Sequence, residues 1–414
     1  MPETAATEND KEILDDTMLT RRTESLLLAM APVEKVMDSF HSSVFSSSTI
    51  TKGRTAVTAD GGETSSGMVQ QEQDMLADIV DSCWHDLGPS KRYLKRVLFQ
   101  YVKRQEKEGA TIESDALASL VFRASLVKDT LPDADESCYL AFHLPRNLIH
   151  GSKNINHGDP LAGGAETNHS NPPHLLRIRV FPFHNDVALR LWEAGASLAE
   201  FFLENASMVA GKDVIELGAG VGFTGLVVAG CCKASTICLT DYTEPCRLNL
   251  EHNLKLNEAW LSYWGFPSER ISQGYLEWEA FAEESYAEST TTGRTKQDAC
   301  CTTMSAFRHA DVLIAADVIY DITVIDSLVL VVKSFLEQDP RAKQTIFAIT
   351  KRNMASFELF LNKIREHGIN CSWLTKNCAS LPKVFECTFT QDRFDVQVAR
   401  FTSNLLCPHQ QIVV

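Results

Sequence analysis

The sequence predicts an α/β fold: a mostly parallel sheet ending in an antiparallel strand pair, preceded by a smaller, mainly helical N-terminal domain. Three observations predict it. From about residue 175 onward, short β-branched runs alternate with helical patterns, which implies right-handed βαβ crossovers and a parallel sheet. The last two such runs, Val384–Thr390 and Phe394–Phe401, have no helix between them and are expected to pair antiparallel. The stretch before residue 151 has helical periodicity instead.

Residues 1–20 are polar. An apolar stripe from Leu26 to Phe40 fits one or two short helices, with Pro32 as a break. Ser46–Gln71, rich in Ser, Thr and Gly, reads as a flexible linker. Glu72–Lys128 reads as helical throughout. Within it, Tyr93, Leu94, Val97, Leu98, Tyr101 and Val102 form an apolar stripe, with Lys and Arg on the other face. That basic face reads as solvated, with docking of a polyanionic partner as the alternative. Gly151–Pro173 is a loop of Gly, Asn, His and Pro at the expected domain boundary. The expected divisions are 1–72, an N-terminal segment with short helices; 73–150, the helical domain; 151–174, a linker; and 175–405, the α/β domain. In the last, Asp213–Leu217, Thr236–Thr240, Ile271–Glu277, Asp311–Ala315 and Thr345–Thr350 read as strands, and Glu283–Ala306 as a disordered surface loop.

The formal net charge of −15 argues against nucleic acid as the main partner, because phosphate binding needs a basic footprint. The twelve cysteines include the adjacent pairs Cys231–Cys232 and Cys300–Cys301 but no C-x-x-C at zinc-ribbon spacing, so no metal is expected and the thiols read as reduced. The acidic N-terminus lacks the pattern of a signal peptide, and Leu26–Met30 is too short to span a membrane, so a cytoplasmic protein is expected.

The central motif is Asp213-Val-Ile-Glu-Leu-Gly-Ala-Gly-Val-Gly222. An apolar strand runs into close-set glycines and then a helix start, a place where backbone can approach a ligand and N–H groups are free. Asp241, ending the next strand, could grip both hydroxyls of a ribose. Gly220-Val-Gly-Phe-Thr-Gly225 also matches the dinucleotide fingerprint. Glu216 tips the reading away from it, since a negative charge there opposes pyrophosphate and suits an ammonium or sulfonium. A second strand, Asp311-Val-Leu-Ile-Ala-Ala-Asp317, ends at the same sheet edge, with Asp317 and Tyr320 about one turn apart. Asp317 could instead only cap the next helix. Trp278 could cover an adenine or be core, and Trp192 could close the cofactor's other side, with the same alternative.

Together Leu191-Trp-Glu-Ala-Gly-Ala-Ser-Leu-Ala-Glu200, Val214–Gly222, Leu239–Tyr242 with Asn249 and Asn253, Tyr275–Trp278 and Ala316–Tyr320 resemble methyltransferase family 16, the seven-β-strand protein lysine methyltransferases. Within that group, Tyr93–Phe99 and Ala348–Asn353 resemble the enzymes that methylate a lysine of translation elongation factor 2. The resemblance implies a Rossmann-like, seven-stranded class I methyltransferase sheet and the cofactor S-adenosylmethionine. It implies that Trp192, Gly218, Gly220, Asp241, Trp278 and Ala316 contact the cofactor, with Asp317 and Tyr320 as the catalytic pair at the lysine entrance; Glu216, Ala219 and Tyr242 complete the expected cofactor set. Glu277 stands where many members have Asp, and Glu283–Ala306 has no placed counterpart. A protein substrate, no direct nucleic-acid partner, no membrane and a monomer are expected. A small-molecule or RNA methyltransferase, an inactive scaffold and a nicotinamide dehydrogenase remain as alternatives.

Overall fold

A computed structural model describes residues 22–40, 64–130, 133–144, 175–288, 298–339, 342–387 and 395–404. The chain forms two compact units, one running to His143 with Glu386 and Cys387, the other holding the rest from Leu144.

The first unit contains α1 (22–28), α2 (33–40), α3 (Thr64–Cys83), α4 (Lys91–Lys107), α5 (Asp115–Ser125) and the strand β1 (Cys138–His143). The stripe of α4 is its core: Tyr93, Leu94, Val97, Leu98 and Tyr101 are buried. The Tyr93 hydroxyl donates to Ala31 O (2.7 Å) and the Tyr101 hydroxyl to Glu72 Oε1 (2.9 Å), so each buried phenol has an acceptor. Much of the basic face of α4 is engaged locally. Lys95 pairs with Asp129 at 2.7 Å, and Arg92 reaches Glu136 at 3.3 Å and two backbone carbonyls. Two expectations need correction. Helix α3 begins at Thr64, inside the segment expected as a linker. The region 72–128 is also not one continuous helical stretch, because it breaks at 84–90 and 108–114. At the second break the Gln73 side chain accepts from the N–H groups of Glu113 and Ser114, and Ser114 caps α5, so this turn is fixed by side chains.

The second unit runs β2 (Leu175–Val180), α6 (Glu193–Glu204), β3 (Asp213–Leu217), α7 (Phe223–Cys232), β4 (Thr236–Asp241), α8 (Glu244–Leu256), α9 (Glu258–Tyr263), β5 (Ile271–Tyr275), α10 (Trp278–Glu288), α11 (Asp298–His309), β6 (Val312–Ala316), α12 (Ile325–Gln338), β7 (Gln344–Thr350), α13 (Met354–Glu366), β8 (Ile369–Thr375) and β9 (Val396–Ser403). Strands β3 to β9 make one sheet in the order β5-β4-β3-β6-β7-β9-β8, parallel except for β9. The chain leaves β3 toward β4 and β5, then returns to β6 on the other side. The carboxyl ends of β3 and β6 therefore border the crevice where open α/β sheets bind ligands. Register brings the ends level, with Leu217 opposite both Thr240 and Ala315, and Ala316 opposite Ala348. One face is packed by α12, whose Leu328, Val329, Val332 and Phe335 are buried with Phe347, Phe360 and Phe401. Asn249 and Asn253 on α8 and Asn257 at its C-cap recur every four residues and so share a face. Asn253 and Asn257 bind the backbone of Arg177 and Arg179 in β2, as a neighbouring strand would.

Two expectations about this unit also change. The antiparallel partner of β9 is β8, not Val384–Thr390. The N–H groups of Val384 and Phe385 instead donate to Glu200 Oε1 at 2.7 and 2.9 Å, while Phe385 packs on Phe223 with ring centroids 4.8 Å apart. Residues 388–390 lie outside the described residues. The segment expected as a disordered loop, Glu283–Ala306, is helical in its described parts, the end of α10 and most of α11; residues 289–297 lie outside the described residues. Helix α11 is held because Phe307 is buried and Thr303 covers Gly274 of β5. Among the described residues no helix is long and apolar enough to cross a membrane.

Candidate active site

A cleft of about 420 Å³ opens at the carboxyl edge of β3, β4 and β6. Its floor is the turn after β3. Gly218, Gly220 and Gly222 have φ of +57°, +56° and +80°, the left-handed region that side chains resist. A Cβ on Gly220 would stand 3.0 Å from the Ala188 carbonyl oxygen, so glycine is also required there by crowding. Farther along, a Cβ on Gly225 would meet Leu239 Cδ2 at 2.2 Å; its absence lets α7 lie directly on β4.

Asp241 ends β4 beneath this turn. Its Oδ2 accepts from Gly220 N–H (3.1 Å) and its Oδ1 from Tyr242 N–H (2.8 Å), so one carboxylate ties the glycine turn to the next strand end. Burial pushes its pKa up, against those backbone hydrogen bonds, which pull it down. Cys246 adds a further tie, donating its thiol to Gly220 O at 3.2 Å.

Glu216 lines the cleft, but its carboxyl turns under α7, where Oε2 accepts from Gly225 N–H at 3.0 Å. With 2% of its surface exposed, desolvation pushes its pKa up to about 8. At neutral pH it is largely a protonated acid, not the fixed negative charge expected from its position.

Trp278, at the start of α10, forms a wall beside Gly218, 3.6 Å from where a Cβ would sit. Trp192 stands at the N-terminus of α6 and donates from Nε1 to Val187 O at 2.8 Å. Gly218, Ala219, Gly220, Tyr242 and Ala316 all line the cleft with them. Asp317 and Tyr320 line it too, and Tyr320 is 56% exposed at its mouth. Burial, followed by repulsion from Tyr242 and neighbouring carboxylates, pushes the Tyr320 hydroxyl up to about 12, so it stays neutral.

Asp317 does not cap the following helix; Asp321 does, accepting from Thr323 N–H at 2.9 Å. Asp317 instead has φ +58° and donates its N–H to Ala348 O on β7. Its Oδ2 accepts from Arg352 Nη2 at 2.9 Å, and Glu193 Oε2 receives the same nitrogen at 2.7 Å. Burial pushes the Asp317 pKa up, and the Arg352 guanidinium opposes that. Sequence reasoning missed Arg352 and Glu193 as site residues, although both lie in segments already singled out by motif. Glu277 accepts from its neighbour Tyr275, whereas Trp278 and Glu279 reach the cleft.

The lysine methyltransferase family matches residues 172–292. The protein-lysine N-methyltransferase EFM3 of Chaetomium thermophilum is 26% identical over 289 residues, covering 68% of this chain and 75% of that protein. The protein-lysine N-methyltransferase EEF2KMT of Bos taurus is 29% identical over 193 residues, 45% of this chain and 54% of the other, so the match spans about half of that relative. The protein N-terminal and lysine N-methyltransferase efm7 of Schizosaccharomyces pombe is 28% identical, over 46% and 69% of the two chains. Among solved structures, the methyltransferase domain of bacterial CtHen1-C aligns with TM-score 0.31 and 15% identity, covering 50% of this chain and 97% of that one. Residues 172–292 thus resemble the lysine methyltransferase family, and the chain is similar to the protein-lysine N-methyltransferases EFM3 and EEF2KMT.

Proposed function

We propose that this chain transfers a methyl group from S-adenosylmethionine to the ε-amine of a lysine in a protein substrate, with translation elongation factor 2 as the target. One observation carries the reading. A single cleft contains the carboxylate of Asp241, held by the N–H groups of Gly220 and Tyr242, and the carboxyl of Asp317 with the phenol of Tyr320, from strand ends on opposite sides of β3.

The residues present fit the cofactor. Besides Glu216, which stays protonated, five carboxylic residues (Asp186, Asp241, Glu279, Asp317, Asp321) line the cleft against two arginines, and one of those, Arg352, is already paired with Asp317 and Glu193. Such a surface favours a cationic ligand and opposes a pyrophosphate, which weakens the dinucleotide alternative. Asp241 would take the ribose hydroxyls, Gly218–Gly220 the close-lying backbone contacts, and Trp278 an aromatic face of the ligand. When bound, S-adenosylmethionine supplies an electrophilic methyl on a positively charged sulfur.

The protein's remaining work is to orient a neutral amine. A lysine ammonium titrates at about 10.4 in water and must lose its proton before it can attack. Tyr320 lines its entry, where desolvation lowers that value. Asp317 accepts a hydrogen bond from the incoming nitrogen and aims its lone pair. No covalent nucleophile from the protein is required.

The test is to incubate the protein with labelled S-adenosylmethionine and purified elongation factor 2, and to locate the label by mass spectrometry. Label on a lysine of that factor is expected. Asp317→Ala should abolish transfer while S-adenosylhomocysteine still binds by calorimetry. Failure of the wild-type chain to bind S-adenosylhomocysteine, or full turnover by Asp317→Ala, sinks the mechanism. Label on another protein, an RNA or a small molecule removes elongation factor 2 and favours the runner-up substrate.

A further inference from the structure

We propose that Arg352 is a positioning residue that clamps Asp317, together with Glu193, against the face of Trp192, and so holds the Asp317 carboxylate in register with the incoming amine. The inference rests on the reading of Asp317 as the group facing that amine.

Three chain segments meet at this one side chain. Glu193 and Trp192 start α6, Asp317 ends β6, and Arg352 follows β7. The terminal nitrogen of Arg352 lies 2.7 Å from Glu193 Oε2 and 2.9 Å from Asp317 Oδ2, and its Cζ stands 4.5 Å from the Trp192 ring centroid. The two carboxylate side chains are only 11% and 12% exposed. Their pairing is therefore screened far less than that of an exposed ion pair.

Asp317 needs such a tether. Its φ of +58° belongs to a region that side-chain-bearing residues adopt at a cost. The backbone is fixed by its N–H bond to Ala348 O, and hydrogen bonding from Thr350 acts on the carboxyl. Arg352 supplies the charged constraint, the one that ties it to Glu193. It also settles a charge conflict, because two carboxylates converging on one nitrogen repel each other once the cation is gone, and like-charged neighbours share a proton. The charged groups acting on Asp317 are Arg352 from the segment after β7 and Glu193 from α6; burial already pushes Asp317 upward, Arg352 and hydrogen bonds from Thr350 oppose this and Glu193 adds to it. A planar guanidinium can stack on an indole while its edge pairs with carboxylates, which an ammonium cannot do in the same way.

The experiment compares Arg352→Met and Arg352→Lys in the full chain. Methyl transfer to purified elongation factor 2 is followed from about pH 6 to about pH 9. At neutral pH, kcat of Arg352→Met should fall roughly tenfold to a hundredfold, the scale of a misplaced reacting group. The loss should shrink as pH rises, because the acid limb set by Asp317 moves to higher pH. Arg352→Lys should bring the limb back while leaving the rate below wild type. In parallel, the Asp317 carboxyl carbon is titrated by NMR with labelled aspartate, assigned through Asp317→Asn. Its midpoint should move to higher pH in Arg352→Met whatever the substrate turns out to be. A rate loss that is the same at every pH, or an unmoved carboxyl titration, overturns the role of Arg352. A moved titration in a chain that methylates no protein overturns the functional reading and leaves the clamp intact.

Discussion

Replacing Glu216 by Gln tests the electrostatics of the glycine turn. In the folded chain the Glu216 carboxyl is buried, accepts one backbone N–H from Gly225, and titrates at about 8, against 4.5 for an ordinary glutamate. The sign follows from proton counting. Between those two values the native state holds a proton that the unfolded chain has released, so this group makes stability fall as pH rises through the window. Each pH unit inside the window is worth about 1.4 kcal/mol, so going from pH 5 to pH 7 removes about 3 kcal/mol. Glutamine keeps an oxygen for Gly225 and cannot titrate. The stability of Glu216→Gln relative to wild type should therefore rise by about 3 kcal/mol over that interval, read from denaturant unfolding at each pH. Asp241 and Asp317 titrate in both proteins and largely cancel in the difference. Curves for the two proteins that stay parallel between pH 5 and pH 7 would refute the reasoning. Ligand affinity gives a second check. If Glu216 is neutral, the ratio of S-adenosylmethionine to S-adenosylhomocysteine affinity should be unchanged in the variant, whereas a carboxylate facing the sulfonium would make that ratio fall.

Two other substitutions probe the ties that shape the unit. Asp241 accepts N–H groups on both oxygens, and Asn can satisfy only one of them. Asp241→Asn should weaken S-adenosylhomocysteine binding roughly tenfold to a hundredfold by calorimetry, the scale of a charged hydrogen bond, and an unchanged Kd would remove Asp241 from the grip. Glu200→Ala strands the N–H groups of Val384 and Phe385, and the second unit should lose about 2–4 kcal/mol in denaturant unfolding. A loss well under 1 kcal/mol would mean that water replaces the carboxylate there.

The legible parts of the fold are those where one element announces itself. Strands β3, β6 and β7 have neighbours on both sides and read as mostly apolar runs, unbroken in β6 and interrupted by the buried Glu216 in β3, as parallel strands covered on both faces do. The edge strand β8 has only β9 beside it. Asn370, Cys371 and Ser372 face water, so its composition resembles a loop. The run Val384–Cys387 is apolar for a different reason. Phe385 and Cys387 are buried as single plugs, and the amides of Val384 and Phe385 go to Glu200, 184 and 185 residues away, where no ladder forms. Helix α11 was hidden by its serines and threonines. Its buried positions Thr303, Phe307 and Ala310 nevertheless fall three to four residues apart, so periodicity outranks composition in that segment.

The site divides along the same line. Gly218, Gly220, Asp241 and Asp317 could be placed at the cleft from sequence because each sits at or just past the end of a strand, and a parallel sheet brings successive strand ends to one edge whatever the loops do. Charge state is not carried by position along a strand. Glu216 stands inside β3, opposite Ile314, and Asp317 lies just past the end of the adjacent β6, yet both are acids beside apolar strand residues. One lies under a helix start, hydrogen-bonded by Gly225 N–H and Thr224, and its burial keeps a proton on it. The other meets a guanidinium that reaches it from the far end of β7 and is shared with a glutamate at the start of α6. Residues 193, 317 and 352 are joined only once the sheet has closed, so no local pattern can encode their ion pairs. Two acids at neighbouring strand ends thus become, through burial for one and a distant guanidinium for the other, a structural hydrogen-bonding acid and a tethered carboxylate lining the cleft.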